Sequence, residues 1–245
     1  ILTDIGNIGG DGFSMIKLSV IIPAFNEDRT IRNVVQAVRN SVQIEKEIII
    51  VNDGSTDRTF EILEHFRGDP EIKVIHQQRN RGKGYAIRLA LSQVTGEYVV
   101  IQDADMEVHP LDLPAILRPL LNKSSHVVYG SRFVNGRNNS PLVGYIANYF
   151  LARLVNLLYN TRITDESTGY KAFATSLIKS VDLECEGFEF CAEITAKVLR
   201  MQHRIHEVPI SYFPRKKNEG KKLRFWRDGL TAVWILIKYR FQKMH

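Results

Sequence analysis

Between Leu18 and Gln102, short apolar runs alternate with stretches of helical spacing, and few folds accommodate that order. Leu18–Pro23 is a buried-type strand, an apolar run ended by proline. Asp28–Val42 carries Ile31, Val34, Val35 and Val38 on one helical face. Glu47–Asn52 is the next strand, and Asp57 is placed to cap a helix running through Phe66. Lys73–His76 reads as a strand, Gly82–Gln93 as a helix and Glu97–Gln102 as a fourth strand. Strands joined by helices of this length imply a parallel sheet with right-handed crossovers, and hence an α/β fold.

Ligands of such sheets bind outside the carboxyl ends of the strands. Glu27, Asp53, Asp103 and Asp105 all fall there. Asp103 and Asp105 sit one residue apart after the run Val99–Gln102, so an extended chain points both to the same side. Two carboxylates so placed repel unless a cation lies between them. A hard divalent ion accepts such oxygens and fills its shell with phosphates. The pair therefore reads as a metal site holding a diphosphate. No Gly-x-x-x-x-Gly-Lys-Ser/Thr follows a strand, and the glycines of Gly6–Gly12 precede the first strand. A metal and basic side chains must then do what a glycine-rich cradle does elsewhere.

The charge balance agrees with an anionic partner. The chain of 245 residues has a formal net charge of +6, concentrated in Arg215, Lys216, Lys217, Lys221, Lys222, Arg224 and Arg227 against Glu219. That cluster lies on one loop without a groove-reading motif, which argues against nucleic acid. Cys185 and Cys191 have neither metal-type nor redox-type spacing and suit a reducing compartment. No run of apolar residues is long enough to cross a bilayer: Leu142–Tyr159 is interrupted by Asn148, Arg153 and Asn156, and Leu230–Ile237 is short. Ile1–Ser14 lacks periodicity and a signal-peptide pattern. It reads as a disordered leader before Met15, with residues 15–245 as one domain.

After Pro110 the pattern loosens. Helices are expected over Asp112–Leu121, Leu142–Tyr159, Phe188–Met201 and Phe225–Phe241, and strands over His126–Tyr129 and Arg204–Ile210. Glu189 and Glu193 lie four apart on one helical face and read as structural or solvated. The last helix sets Trp226, Trp234 and Phe241 among Arg227, Lys238, Arg240 and Lys243, a composition suited to a bilayer interface from about residue 225 to 243.

Taken in order, several segments resemble family 2 glycosyltransferases of the GT-A fold. They are Ser19-Val20-Ile21-Ile22-Pro23-Ala24-Phe25-Asn26-Glu27, Val51-Asn52-Asp53-Gly54-Ser55-Thr56-Asp57, Asn80-Arg81-Gly82-Lys83-Gly84 and Asp103-Ala104-Asp105. Gly130-Ser131-Arg132, Ser167–Phe173 and Glu207-Val208-Pro209-Ile210 narrow the resemblance to dolichol-phosphate mannose synthases and related polyprenyl-phosphate sugar transferases. It extends from Leu18 to about Phe241.

The resemblance implies a Rossmann-like nucleotide-diphospho-sugar transferase with a mostly parallel central sheet flanked by helices. Pro23, Phe25 and Glu27 would contact base and ribose, and Val51 and Asp53 would border the base pocket. Asp103, Ala104 and Asp105 would hold the diphosphate. Mg2+ or Mn2+ would be bound by Asp103, Asp105 and Glu107, the last replacing a glutamine that these synthases often carry. Arg132 would bind anionic groups of donor or acceptor and act with Asp105 in catalysis. Arg215 and Lys221 match a basic pair on a mobile acceptor loop.

The implied reaction is inverting transfer of a hexose, mannose before glucose, from GDP-mannose or UDP-glucose to dolichyl or polyprenyl phosphate at the cytoplasmic face of a membrane. Two alternatives stand beside it. One is a family 2 transferase acting on a glycan hydroxyl, and the other a non-catalytic nucleotide-sugar binder on the membrane surface. The intact Asp103/Asp105 pair argues against the binder, which has no need of it.

Overall fold

The computed structural model describes residues 17–137, 140–215 and 225–242. The expected leader, residues 1–14, lies outside them. One seven-stranded sheet has the order β3-β2-β1-β4-β6-β5-β7. Strands β1 (Lys17–Ala24), β2 (Glu45–Asn52), β3 (Ile72–His76) and β4 (Tyr98–Ile101) are parallel, as the alternation requires. Strand β6 (Lys171–Ala174) enters antiparallel to both β4 and β5 (Val127–Ser131), and β7 (His206–Pro209) runs parallel to β5.

Helices α1 (Ile31–Ser41), α2 (Thr59–Glu64), α3 (Lys83–Leu91) and α4 (Leu113–Leu121) follow the successive strands. Then come α5 (Leu142–Tyr159), α6 (Thr175–Ser180), α7 (Phe190–Arg200) and α8 (Phe225–Phe241). The inner strands β1 and β4 and the second half of β2 are largely apolar because both faces of the sheet are covered there. Leu18, Val20, Ile22, Ile48 and Ile50 pack with α1 and α4. Ile21, Ile49, Val51, Val99 and Ile101 pack with α3 and α7. A third cluster joins α5, α7 and α8 through Val155, Ala196, Leu236 and Tyr239.

Two features depart from the sequence reading. Strand β6 and helix α6 were not expected, because four residues beginning with Lys171 and a six-residue helix carry too little periodicity to be read. Arg58 immediately precedes α2, but the capping bond comes from Asp57 as expected: its carboxylate accepts from Thr59 N at 2.9 Å. It also accepts from Asp28 N at 3.1 Å, tying the start of α2 to the turn before α1.

Helix α5 also differs from the sequence reading: despite its interruptions it is, by length and composition, long and apolar enough to cross a membrane. The polar residues that interrupt it have work within the fold. Asn148 donates to Thr164 O at 2.8 Å, and Asn156 exchanges bonds with Ile163 at 2.8 and 2.9 Å.

Glu193 is wholly buried at the junction of α7 and α8. Its carboxylate accepts from Glu184 N, Cys185 N, the Lys197 ammonium and the Tyr239 hydroxyl at 2.8 to 3.0 Å. Burial alone would raise its pKa, but these donors hold it below the usual carboxylate range. The stabilisation is therefore complete above that range and fades as pH falls through the folded value. Glu193→Gln is expected to cost about 2 kcal/mol near neutral pH, since charged hydrogen bonds become mismatched amide contacts. Thermal unfolding should show a fall of roughly 5 °C that shrinks on acidification. A loss that does not change with pH would contradict the charge-based account.

Candidate active site

The carboxyl ends of β1, β2, β4 and β5 form one rim, and the turns there place the expected residues. After β1, Asn26 adopts a left-handed conformation (φ 51°), which asparagine tolerates better than most residues. Its Oδ1 accepts from Thr56 N at 2.7 Å, and Ser55 Oγ accepts from Asn26 N at 2.9 Å. The turns after β1 and β2 are thus locked together. Glu27 is buried beside them, accepting from Thr30 Oγ1 at 2.9 Å and from Arg215 Nη2 at 2.5 Å. Pro23 pairs in register with Val51, whose side chain is buried in the core, so that only its backbone can border a base.

Asp53 reaches beyond its own turn. Its two oxygens accept from Arg81 N at 2.9 Å and Gly82 N at 2.7 Å, while Asn52 Oδ1 holds the local turn through Ser55 N. Burial raises the Asp53 carboxyl above its ordinary value against these bonds. Gly82 and Gly84 are packing glycines. A Cβ at either would lie 2.4 Å from the carbonyl oxygen of Glu186 or Cys185. Gly84 N and Tyr85 N donate to the carbonyls of Gly187 and Glu186. The first turn of α3 is thereby occupied by backbone, in keeping with the absence of a phosphate cradle.

The acidic segment after β4 is shaped by Gln102, which is buried and donates to the carbonyls of Asp103 and Val108 at 3.1 Å each. Met106 takes a left-handed conformation (φ 60°), and Asp105 Oδ1 accepts from Glu107 N at 3.0 Å. Asp103 Oδ1 lies 2.5 Å from the Lys83 ammonium. Burial, then the charges of Asp103 and Glu107, push the Asp105 carboxyl up to about 7. Glu107 grips the chain beyond β7: Tyr212 OH donates to Oε2 and Arg215 N to Oε1, each at 3.0 Å. Arg215 also donates from Nε to Asp105 O at 3.2 Å, so it bridges Glu27 and the acidic segment.

Arg132 follows β5. Its Nε and Nη2 donate to the two oxygens of the buried Asp165, each at 2.7 Å, and its guanidinium lies over the rings of Phe133 and Tyr212. Tyr212 thus connects Arg132 with Glu107. The structure brings Glu27, Asp103, Asp105, Glu107, Arg132 and Arg215 to one rim, with Ala104 packed beneath. Lys221 lies outside the described residues. Among the described residues, no three His, Cys, Asp or Glu side chains converge as a ready-made metal centre. The donor set nevertheless suits a hard cation, because the crowding that pushes Asp105 up is relieved by positive charge. Glu189 accepts from Gly187 N at 3.0 Å, and it and Glu193 have the structural roles expected of them.

Lys83, Gln102, Gly169 and Tyr212 are site residues that periodicity could not single out. The loop before β6 passes so near the acid pair that a Cβ on Gly169 would lie 1.9 Å from Asp103 Oδ2.

A sequence profile described as Glycosyl transferase family 2 matches residues 19–182. A UDP-N-acetylglucosamine–dolichyl-phosphate N-acetylglucosaminyltransferase of Methanococcus voltae is 31% identical over 211 residues, covering 78% of this chain and 83% of that protein. A dolichol-phosphate mannosyltransferase of Pyrococcus furiosus is 28% identical over 237 residues; this chain spans 64% of its length, with 91% of this chain aligned. The crystal structure of Mycobacterium tuberculosis glucosyl-3-phosphoglycerate synthase with Mn2+, UDP-glucose and phosphoglyceric acid superposes with a TM-score of 0.72 at 21% identity. That match covers 92% of this chain and 80% of the synthase. The likeness to the synthase establishes the GT-A fold.

Proposed function

The chain belongs to glycosyl transferase family 2, and from that premise we propose that it moves a hexose, mannose before glucose, from a nucleotide sugar to a polyprenyl or dolichyl phosphate with inversion. The relatives' polyprenyl-phosphate acceptors support the reading. The observation that carries it is the commitment of the rim carboxylates. Glu27 is paired with Arg215, Asp103 with Lys83, Asp165 with Arg132, and Glu107 with Tyr212 and the Arg215 backbone, while Asp105, which accepts from Glu107 N, would be taken by the divalent ion. A hydroxyl acceptor needs a general base. A phosphate oxygen is already anionic near neutral pH and needs none.

Asp103, Asp105 and Glu107 would hold Mg2+ or Mn2+, which when bound supplies charge neutralisation for the departing diphosphate. Pro23, Phe25, Glu27 and Asp53 would seat the nucleoside. Arg132, kept in place by Asp165, would face the acceptor phosphate, and Arg215 would add positive charge over the leaving group. The lipid part needs an apolar surface. α5 exposes Val143, Ile146, Phe150 and Leu157, and α8 exposes Leu230, Trp234 and Phe241. These faces support a peripheral position on a membrane, at its cytoplasmic side where nucleotide sugars are available.

Purified protein, polyprenyl phosphate in vesicles, and labelled GDP-mannose, UDP-glucose and UDP-N-acetylglucosamine provide the test. The expected product is a sugar-labelled lipid that mild acid hydrolyses, formed at a rate that does not rise with pH above neutrality. Label on a free glycan hydroxyl, and never on lipid phosphate, would sink the acceptor assignment and leave the family standing.

A further inference from the structure

Lys83 opens α3, and its side chain is only 13% exposed where it meets Asp103. The site encloses this pair on two sides. The backbone of Gly169 closes on it from the loop before β6, where a Cβ would stand 3.0 Å from the ammonium. The amides of Gly82, Gly84 and Tyr85 are taken by Asp53, Gly187 and Glu186, so the Lys83 ammonium supplies most of the positive charge that this helix end can still offer an anion. Burial pulls its pKa down, and Asp103 more than restores it. Among the described residues, Asp103 alone of the three acids after β4 forms a side-chain ion pair. Asp105 and Glu107 receive backbone and hydroxyl donors instead.

We propose that Lys83 is the resident counter-cation of the acid cluster. It neutralises Asp103 in the donor-free protein, a divalent ion has to compete with it for that carboxylate, and the displaced ammonium then meets the donor's diphosphate. The inference rests on the transferase reading above. Its consequence is mutual dependence: the ion alone binds weakly, because it must evict a cation, and binds well when a diphosphate receives the evicted charge.

The test uses the full chain and two probes, Mn2+ alone followed by electron paramagnetic resonance at about pH 8, and GDP or UDP followed by calorimetry in EDTA. Lys83→Met is expected to tighten Mn2+ alone about tenfold and to weaken the nucleoside diphosphate about tenfold. Lys83→Arg, which keeps the charge, should stay within about threefold of wild type on both. Asp103→Asn frees the ammonium without touching Lys83 and should tighten the nucleoside diphosphate in EDTA. A residue with a merely structural role would weaken both ligands together. Weaker Mn2+ binding by Lys83→Met, or weaker nucleoside diphosphate binding by Asp103→Asn, overturns the role of Lys83 while the transferase reading stands. A wild-type chain that binds neither probe overturns both.

Discussion

Asp105→Asn is expected to reduce transfer by at least about 10^3-fold, and excess EDTA should do the same to wild type. Stability should move the opposite way. The folded Asp105 carboxyl is pushed up to about 7 by burial and by its acidic neighbours. A carboxyl raised in the folded state favours folding while protonated. That advantage is full below the unfolded value and is lost as pH rises towards about 7. Near pH 7.5 and without metal, the wild-type charge therefore opposes folding, and the neutral amide relieves it. Calorimetry in EDTA should give the variant a melting temperature equal to or a few degrees above wild type, roughly 2–4 °C per kcal/mol relieved. An inactive variant that also melts well below wild type would mean that the residue is structural, and the metal assignment would lose its main support.

Gly169→Val should cost at least about 10^2-fold in transfer, because a displacement of about 1 Å at reacting groups has that effect. The added Cβ would stand 1.9 Å from Asp103 Oδ2 and 2.8 Å from its carboxyl carbon, so the carboxylate or the loop has to move. Gly169 carries no left-handed backbone requirement, which makes the clash itself the cause. The loss should reside in nucleotide affinity as well as turnover, and Gly169→Ala should share it in milder form. Wild-type kinetics in Gly169→Val would show that Asp103 has no fixed place in the reaction.

The first four strands were legible because each holds a short apolar run between helical segments, most continuous in the inner strands β1 and β4, which are buried on both faces. The acidic pair was legible because alternation in an extended chain puts Asp103 and Asp105 on one side. Strand β6 was not. It is short, begins with a buried lysine, and owes its existence to the ladders of β4 and β5 on either side. The partners of the site residues were hidden for the same reason. Asp165 meets Arg132 across 33 positions, Tyr212 meets Glu107 across 105, and Arg215 meets Glu27 across 188. Asp53 was legible as a rim acid, but not the fact that its oxygens hold the turn before α3. Local sequence specifies which side chains reach the rim, and tertiary closure decides what each of them touches.

The reversed direction of β6 also bears on how the protein comes into being on the ribosome. Val99 pairs with Phe173 and Ile101 with Lys171, so the surroundings of the acidic pair cannot form until a stretch far downstream has been synthesised. The leading half, built from neighbouring strands, can collect its contacts early, whereas the β4–β6 ladder closes a long loop and is intrinsically slow. A nascent chain that stops short of Ala174 therefore exposes one side of β4 as an unpaired edge, beside Glu107, whose donors Tyr212 and Arg215 lie still farther downstream. For this protein, the step that walls in the acidic pair is also the step that pairs the open edge of β4 and so removes an opportunity for mispairing between chains.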